Sequence, residues 1–250
     1  MTLASRLTDR YFRRLVATPE GRAHVLNQCA DAESNGECRI FEQALSLVDD
    51  DELRRLIRRH QDDEVRHAAM FREQAERVGV DVGPVPAHLK LIDRIDRALG
   101  GMLARPIADR RGVMEAYLLL QVLEERAVSQ FPIFERGFRE IDPAVSAVFA
   151  AVLRDEHRHL RYCEAIARRY APDEAAHRET LARFRRVEAR AFAANSRANM
   201  RHALDRGYVA MGPIEKRLWS ALAALLPVLA PEQPTAFARH GSPPRPALAA

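Results

Sequence analysis

Asp63-Glu64-Val65-Arg66-His67 and Asp155-Glu156-His157-Arg158-His159 follow one pattern, D-E-x-R-H, 92 positions apart. In each, Glu and His stand three residues apart, which on a helix is one face and one turn. Two Glu-x-x-His turns are half of the ligand set with which a four-helix bundle holds two metal ions in its core. The pattern therefore predicts an all-α chain. Composition agrees: aromatic residues are 6% and glycines number 11, and no alternating runs flanked by turn pairs occur.

Whether these acids face water or the core decides what they can do. On one predicted helix the series Leu53, Ile57, His60, Glu64, His67, Phe71, Ala75 and Val78 keeps three-and-four spacing. On another, Val145, Val148, Val152, Glu156, His159, Cys163, Ile166 and Tyr170 do the same. Both motifs thus lie inside an apolar stripe, where an uncompensated carboxylate costs several kcal/mol. Two divalent cations would balance four glutamates and two neutral imidazoles.

Punctuation along the chain divides it into helices. An N-terminal helix packing on the bundle (1–19) ends before Thr18-Pro19. A long helix is expected over 20–48, and Asp49-Asp50-Asp51 stops it and caps the next, which closes at Gly79. A helical crossover, broken by Gly100-Gly101 and Pro106, leads to a helix over 112–140. Asp142-Pro143 then forms an N-cap and first-turn pair for a helix ending near Tyr170. Residues 20–172 make the di-metal bundle, 173–230 a helical extension, and 231–250 a Pro/Ala-rich tail expected to be disordered. Two helical hairpins joined by a long crossover are also an internal repeat. Asp50 aligns with Asp142 at the same offset of 92, and Ile40-Phe41-Glu42 aligns with Ile133-Phe134-Glu135 at 93.

The two missing ligands are expected from the first and third core helices. Glu33 lies 31 residues before Glu64, and Glu125 lies 31 before Glu156. Glu124, however, sits better on its own stripe of Tyr117, Leu120, Ala127, Phe131, Phe134 and Phe138. Glu33 and Glu124 are favoured, with Glu37 and Glu125 as alternates; Glu37 also reads as a general base or a salt-bridge partner. His60 reads as a hydrogen-bonded core histidine, with an extra ligand or a proton relay as the other reading. Cys163 and Tyr117 share the phase of the site but read as core fillers.

A glutamate about thirty residues before D-E-x-R-H, present twice, resembles the ferritin-like di-iron carboxylate superfamily over residues 20–170. The Asp before each ligand Glu is most similar to its oxygenase and desaturase branch. The stretch Glu124-Glu125-Arg126-Ala127-Val128-Ser129-Gln130-Phe131 is similar to that of di-iron tRNA hydroxylases. The resemblance implies a ferritin-like four-helix bundle in which Glu33, Glu64, His67, Glu124, Glu156 and His159 are metal ligands. It also implies that Asp63 and Asp155 accept from ligand imidazoles, crossed between hairpins, and that Arg66 and Arg158 pair with those aspartates.

Carboxylate-rich ligation suits two iron ions, with manganese or a mixed manganese–iron pair as alternatives. The activity implied is a di-iron oxygenase or hydroxylase that activates dioxygen to oxidise a small organic substrate. No flavin or nicotinamide fingerprint occurs, so electrons would come from a separate reductase. A ferroxidase or iron-handling protein needs the same ligands, and a helical binding module with a vestigial site is a third class. The crossover and the extension favour the first.

Three cysteines without Cys-x-x-Cys spacing argue against a rubredoxin-type iron site or an iron–sulfur cluster. They suggest a reducing cytosol, and with no apolar run behind the N-terminal charge the expected location is cytoplasmic. The longest apolar run, Ala221 to Ala230, contains a proline and is too short to span a membrane. Net charge is +4, and all basic residues but Lys90 and Lys216 are arginine, interleaved with acids. Salt-bridged helix faces account for them better than a nucleic-acid surface, for which Arg183, Arg185, Arg186 and Arg190 are the densest stretch. The stripe Ile214, Leu218, Trp219, Leu225 is expected to dock on the bundle or on a second subunit, which makes a homodimer a candidate assembly.

Overall fold

The computed structural model describes residues 3–34 and 37–229. Among them the chain is helical throughout, apart from loops and one 3-10 turn at Ala87–Leu89. The helices are α1 (Leu3–Val16), α2 (Pro19–Ser34), α3 (Glu37–Leu47), α4 (Asp51–Val78) and α5 (Leu91–Ala98). They continue as α6 (Arg110–Phe138), α7 (Pro143–Tyr170), α8 (Glu174–Asp205) and α9 (Pro213–Leu229). The single helix expected over 20–48 is described as α2 and α3, on either side of residues 35–36. The expected disordered tail lies outside the described residues.

Local chemistry sets the helix ends. Asp50 accepts from the amides of Glu52 and Leu53, Asp142 from Val145 and Asp173 from Ala176, each occupying amides that a helix start leaves unpaired. Gly79 closes α4 at φ 75°, a left-handed conformation that favours glycine. Tyr170 Oη donates to Asp49 Oδ1 at 2.8 Å and accepts from the Asp49 amide, tying the end of α7 to the turn before α4.

Helix direction follows from two apolar clusters. The first holds Phe41, Leu53, Ile57, Tyr117, Leu120, Cys163 and Ile166. The second holds Leu26, Phe71, Phe131, Phe138, Phe149 and Val152. Thus α4 and α6 run from the first cluster to the second, while α7 and the α2–α3 pair run the other way. α2 packs on α4 and α6 on α7, forming two antiparallel pairs, and α4 crosses against α7. The long connection through α5 lets α4 and α6 run parallel. At the waist between the clusters stand His60, Glu64, His67, Glu124, Glu156 and His159, all buried.

The outer helices clasp this core. α1 packs on α2 and α6, with Phe12 stacked on Phe134 and lying where a side chain on Gly137 would stand. On α9, Trp219 meets Tyr11 of α1 at 5.4 Å, whereas Ile214 and Leu218 are exposed, so the stripe docks only in part on the body of the protein. The Leu225 side chain lies outside the described ones. α8 packs on α6 through Arg126–Glu188 and Arg185–Glu125 ion pairs, and Arg126 also lies 3.7 Å over the Phe192 ring. Arg185, from the densest basic stretch, is therefore committed to an internal acid. No described helix is long and apolar enough to cross a membrane.

Buried His24 on α2 stacks on His202 of α8 at 5.3 Å. Burial, then the charge of His202, pushes its imidazole down to about 4, against a small opposing contribution from Asn199. Between pH 6.5 and about 4 the unfolded chain binds a proton at this site that the folded chain does not, so stability falls as pH falls through that window. We expect His24→Gln to flatten the acid limb of melting temperature against pH, with each pH unit worth up to about 1.4 kcal/mol. An unchanged limb would remove His24 from the cause.

Candidate metal centre

Four helices deliver the site: Glu33 from α2; His60, Asp63, Glu64, Arg66 and His67 from α4; Glu124 from α6; and Asp155, Glu156, Arg158 and His159 from α7. The three-and-four spacing puts the glutamates and histidines on the inward face of each helix, all buried. Within the expected stripes only Val78, Val148, Ala127 and Phe134 are partly exposed.

The donors form two groups that share one residue. Glu33, Glu64, His67 and Glu156 each offer an atom within 4.8 Å of the others, and so do His60, Glu64, Glu124 and His159. In the first, His67 Nδ1 lies 3.4 Å from Glu33 Oε2 and 3.3 Å from Glu156 Oε1. In the second, His159 Nδ1 lies 3.3 Å from Glu64 Oε1, 3.5 Å from Glu124 Oε1 and 3.0 Å from Glu156 Oε2. Glu64 belongs to both groups, and Glu156 turns one oxygen to each imidazole.

The opposite edge of each imidazole is held from the other hairpin. His67 Nε2 lies 3.2 Å from Asp155 Oδ2, and His159 Nε2 lies 3.3 Å from Asp63 Oδ2. A carboxylate can only accept, so each Nε2 carries the hydrogen and each Nδ1 is left facing the glutamates. The aspartates are themselves fixed. Arg66 donates to Asp63 and Asp155 at 2.6 and 2.7 Å, and Arg158 donates to Asp155 at 2.6 Å and also to Asp63. The result is a closed ring of two aspartates and two arginines over one side of the site. Burial would raise the Asp155 carboxyl, but Arg158, Arg66 and His67 outweigh it and hold it well below the usual carboxylate range.

Charge in the interior is unbalanced without a cation. Burial would lower both ligand-side imidazoles. Instead, the close approach of Glu156 and Glu33 pushes His67 up to about 10, and Glu124 and Glu156 push His159 up to about 11. Glu156 is itself raised, first by burial and then by Glu124. His60 moves the other way: burial and then His159 hold it well below its usual value, so it is neutral. Several buried atoms make no hydrogen bond, namely both His60 ring nitrogens, His67 Nδ1 and Glu156 Oε1. Each such atom costs about 1–3 kcal/mol. His60 Nε2, His67 Nδ1 and Glu156 Oε1 lie in the donor groups that a cation could join. The donor set fits two divalent ions, with four carboxylates against four positive charges.

Of the two acids left open on the third core helix, Glu124 enters the cluster. Glu125 is bound by Arg185 at 2.8 Å and by Gln121 at 3.1 Å, one residue round the helix. Glu37 begins α3, and its side chain lies outside the described ones. His60 departs from the hydrogen-bonded core histidine favoured by the sequence reading. It lies inside the second group, with Nε2 2.9 Å from Glu124 Oε1 and 3.1 Å from Glu64 Oε1. Tyr117 and Cys163 sit in the apolar core as expected. Tyr162, not singled out from the sequence, also borders the site: its ring lies 5.1 Å from His60 and 5.8 Å from His159, and its buried hydroxyl makes no hydrogen bond. Its signal was present: it stands three residues after His159, beside the Cys163 that was chosen instead. No family model, curated protein or solved structure matches the chain.

Proposed function

We propose that the chain is a ferritin-like di-iron carboxylate oxidoreductase, an oxygenase or hydroxylase that activates dioxygen to oxidise a small organic substrate with electrons from a separate reductase. The observation carrying this is the pair of buried donor groups sharing Glu64 at the waist of four helices. Glu33, His67, Glu124 and His159 would hold the ions from the sides, and Glu64 and Glu156 would lie between them. When bound, two ferrous ions supply the electrons that dioxygen activation needs.

The remaining roles belong to the protein. Asp63 and Asp155 keep a hydrogen on each Nε2 so that Nδ1 stays available, and the arginine ring holds those aspartates in place. The apolar clusters above and below the waist exclude water, which strengthens every electrostatic contact between them. Neither manganese nor a mixed pair is disfavoured by the donor types.

The runner-up, a ferroxidase, would use the same ligands. Anaerobic loading with Fe(II), then mixing with dioxygen while following iron uptake and absorbance, separates the two. An oxygenase gives one oxidation event that stalls without substrate and reductant. Continuing uptake of iron beyond two per chain would replace the proposal with a ferroxidase. Glu125→Gln serves as the control: it is expected to lose about 1–3 kcal/mol of stability through unpaired Arg185, yet keep two ions per chain. Loss of an ion in that variant would mean that Glu125 rather than Glu124 is the ligand.

A further inference from the structure

The two metal positions are not equivalent. Sliding one D-E-x-R-H motif onto the other matches Glu64 with Glu156 and His67 with His159, but His60, four residues before Glu64, falls on Val152, four residues before Glu156. Both are fully buried. The Glu33 group therefore has one imidazole, whereas the Glu124 group has two.

His60 behaves as a donor without an acceptor role elsewhere. A core histidine ordinarily satisfies its ring nitrogens with backbone or side-chain partners. Neither nitrogen of His60 makes a hydrogen bond. Its Nε2 instead lies 2.9 Å from Glu124 Oε1 and 3.1 Å from Glu64 Oε1, and its ring centre is 3.9 Å from that of His159. The Phe41 ring at 4.6 Å and the Tyr162 ring at 5.1 Å pack against it.

We infer that His60 is a ligand of one metal ion only, making the Glu124–His159 position richer in nitrogen and more fully coordinated, so that it fills before the Glu33–His67 position. This rests on the two-metal reading above. Two imidazoles with Glu124 and Glu64 form one donor group, to which Glu156 Oε2, 3.0 Å from His159 Nδ1, would add a fifth residue; His67 with Glu33, Glu64 and Glu156 forms the other, of four. A second imidazole strengthens binding of borderline divalent ions relative to a mostly carboxylate site. The more open coordination shell then belongs to the Glu33 ion, the side where Val152 replaces an imidazole and where the donor carboxylate is the most exposed of the four, at 9%. Small molecules that reach the metals would meet that ion.

The test is an anaerobic Co(II) titration of the full chain, followed by absorbance and by X-ray absorption at one equivalent. The native protein should take two equivalents in two steps, the first at least about tenfold tighter, with two imidazoles around the first ion. His60→Gln should still take two equivalents but lose the tighter step. Two equivalents bound with one imidazole around the first ion, or an unchanged first step in His60→Gln, would overturn the assignment and leave the two-metal reading intact. No uptake by the native protein would overturn both. The imidazole count needs no variant, so the inference stays testable should His60→Gln fail to fold.

Discussion

Glu64→Ala is expected to lose both metal ions together, not one. Glu64 is the residue common to both donor groups, with Oε1 lying 3.3 Å from His159 Nδ1 and 3.9 Å from His67 Nδ1. Its removal takes a donor from each position and half of the negative charge that lies between them. Removing Glu33 or Glu124 strips one position alone, so either variant should retain about one ion per chain, as ligand sites of this kind are built from separable side chains. Elemental analysis after anaerobic loading and desalting reads the difference. The folded metal-free chain should survive the change, because burying four carboxylates without a cation is costly and deleting one relieves that cost. An unchanged or higher melting temperature for metal-free Glu64→Ala, with zero bound ions, is the expected pair of results. A variant that still holds one ion would show that Glu64 serves a single position.

The second large effect concerns residues that touch no metal. Asp63→Asn should weaken the position held by His159, and Asp155→Asn the position held by His67, because the contacts cross between the hairpins. Asparagine can present its amide hydrogens to Nε2, which would shift the ring hydrogen to Nδ1 and spoil the ligand atom. Losses of about 10–100-fold in affinity are expected, confined to one of two binding steps in each variant. Stepwise titration of the two proteins side by side measures this. Equal weakening of both steps in both variants would mean that the aspartate–arginine ring acts as one rigid unit rather than as two separate supports.

The sequence carried the chemistry further than it carried the connections. Glu64, His67, Glu156 and His159 were readable because carboxylate and imidazole recur inside apolar stripes, where chance and solvation both disfavour them. Their second contacts were readable only through the resemblance, since no spacing rule says that Asp63 reaches His159 across the bundle and not its own neighbour. Glu124 over Glu125 was a matter of 100° around one helix, decided in the structure by Arg185, which draws Glu125 outward onto α8. That partner is 60 residues away in sequence, beyond any local pattern. For His60 an extra ligand was only the second reading, because a buried histidine usually finds a hydrogen bond and three-dimensional packing shows that this one does not.

The most direct test of the account is the anomalous scattering of crystals grown from iron-loaded protein. Two iron peaks about 3.5–4 Å apart, lying between Glu64 and Glu156 at the waist of the four helices, are the predicted result. Crystals that show no iron there, with the seven buried donors bonded only to one another, would contradict it and leave the cluster as an internal network of ion pairs.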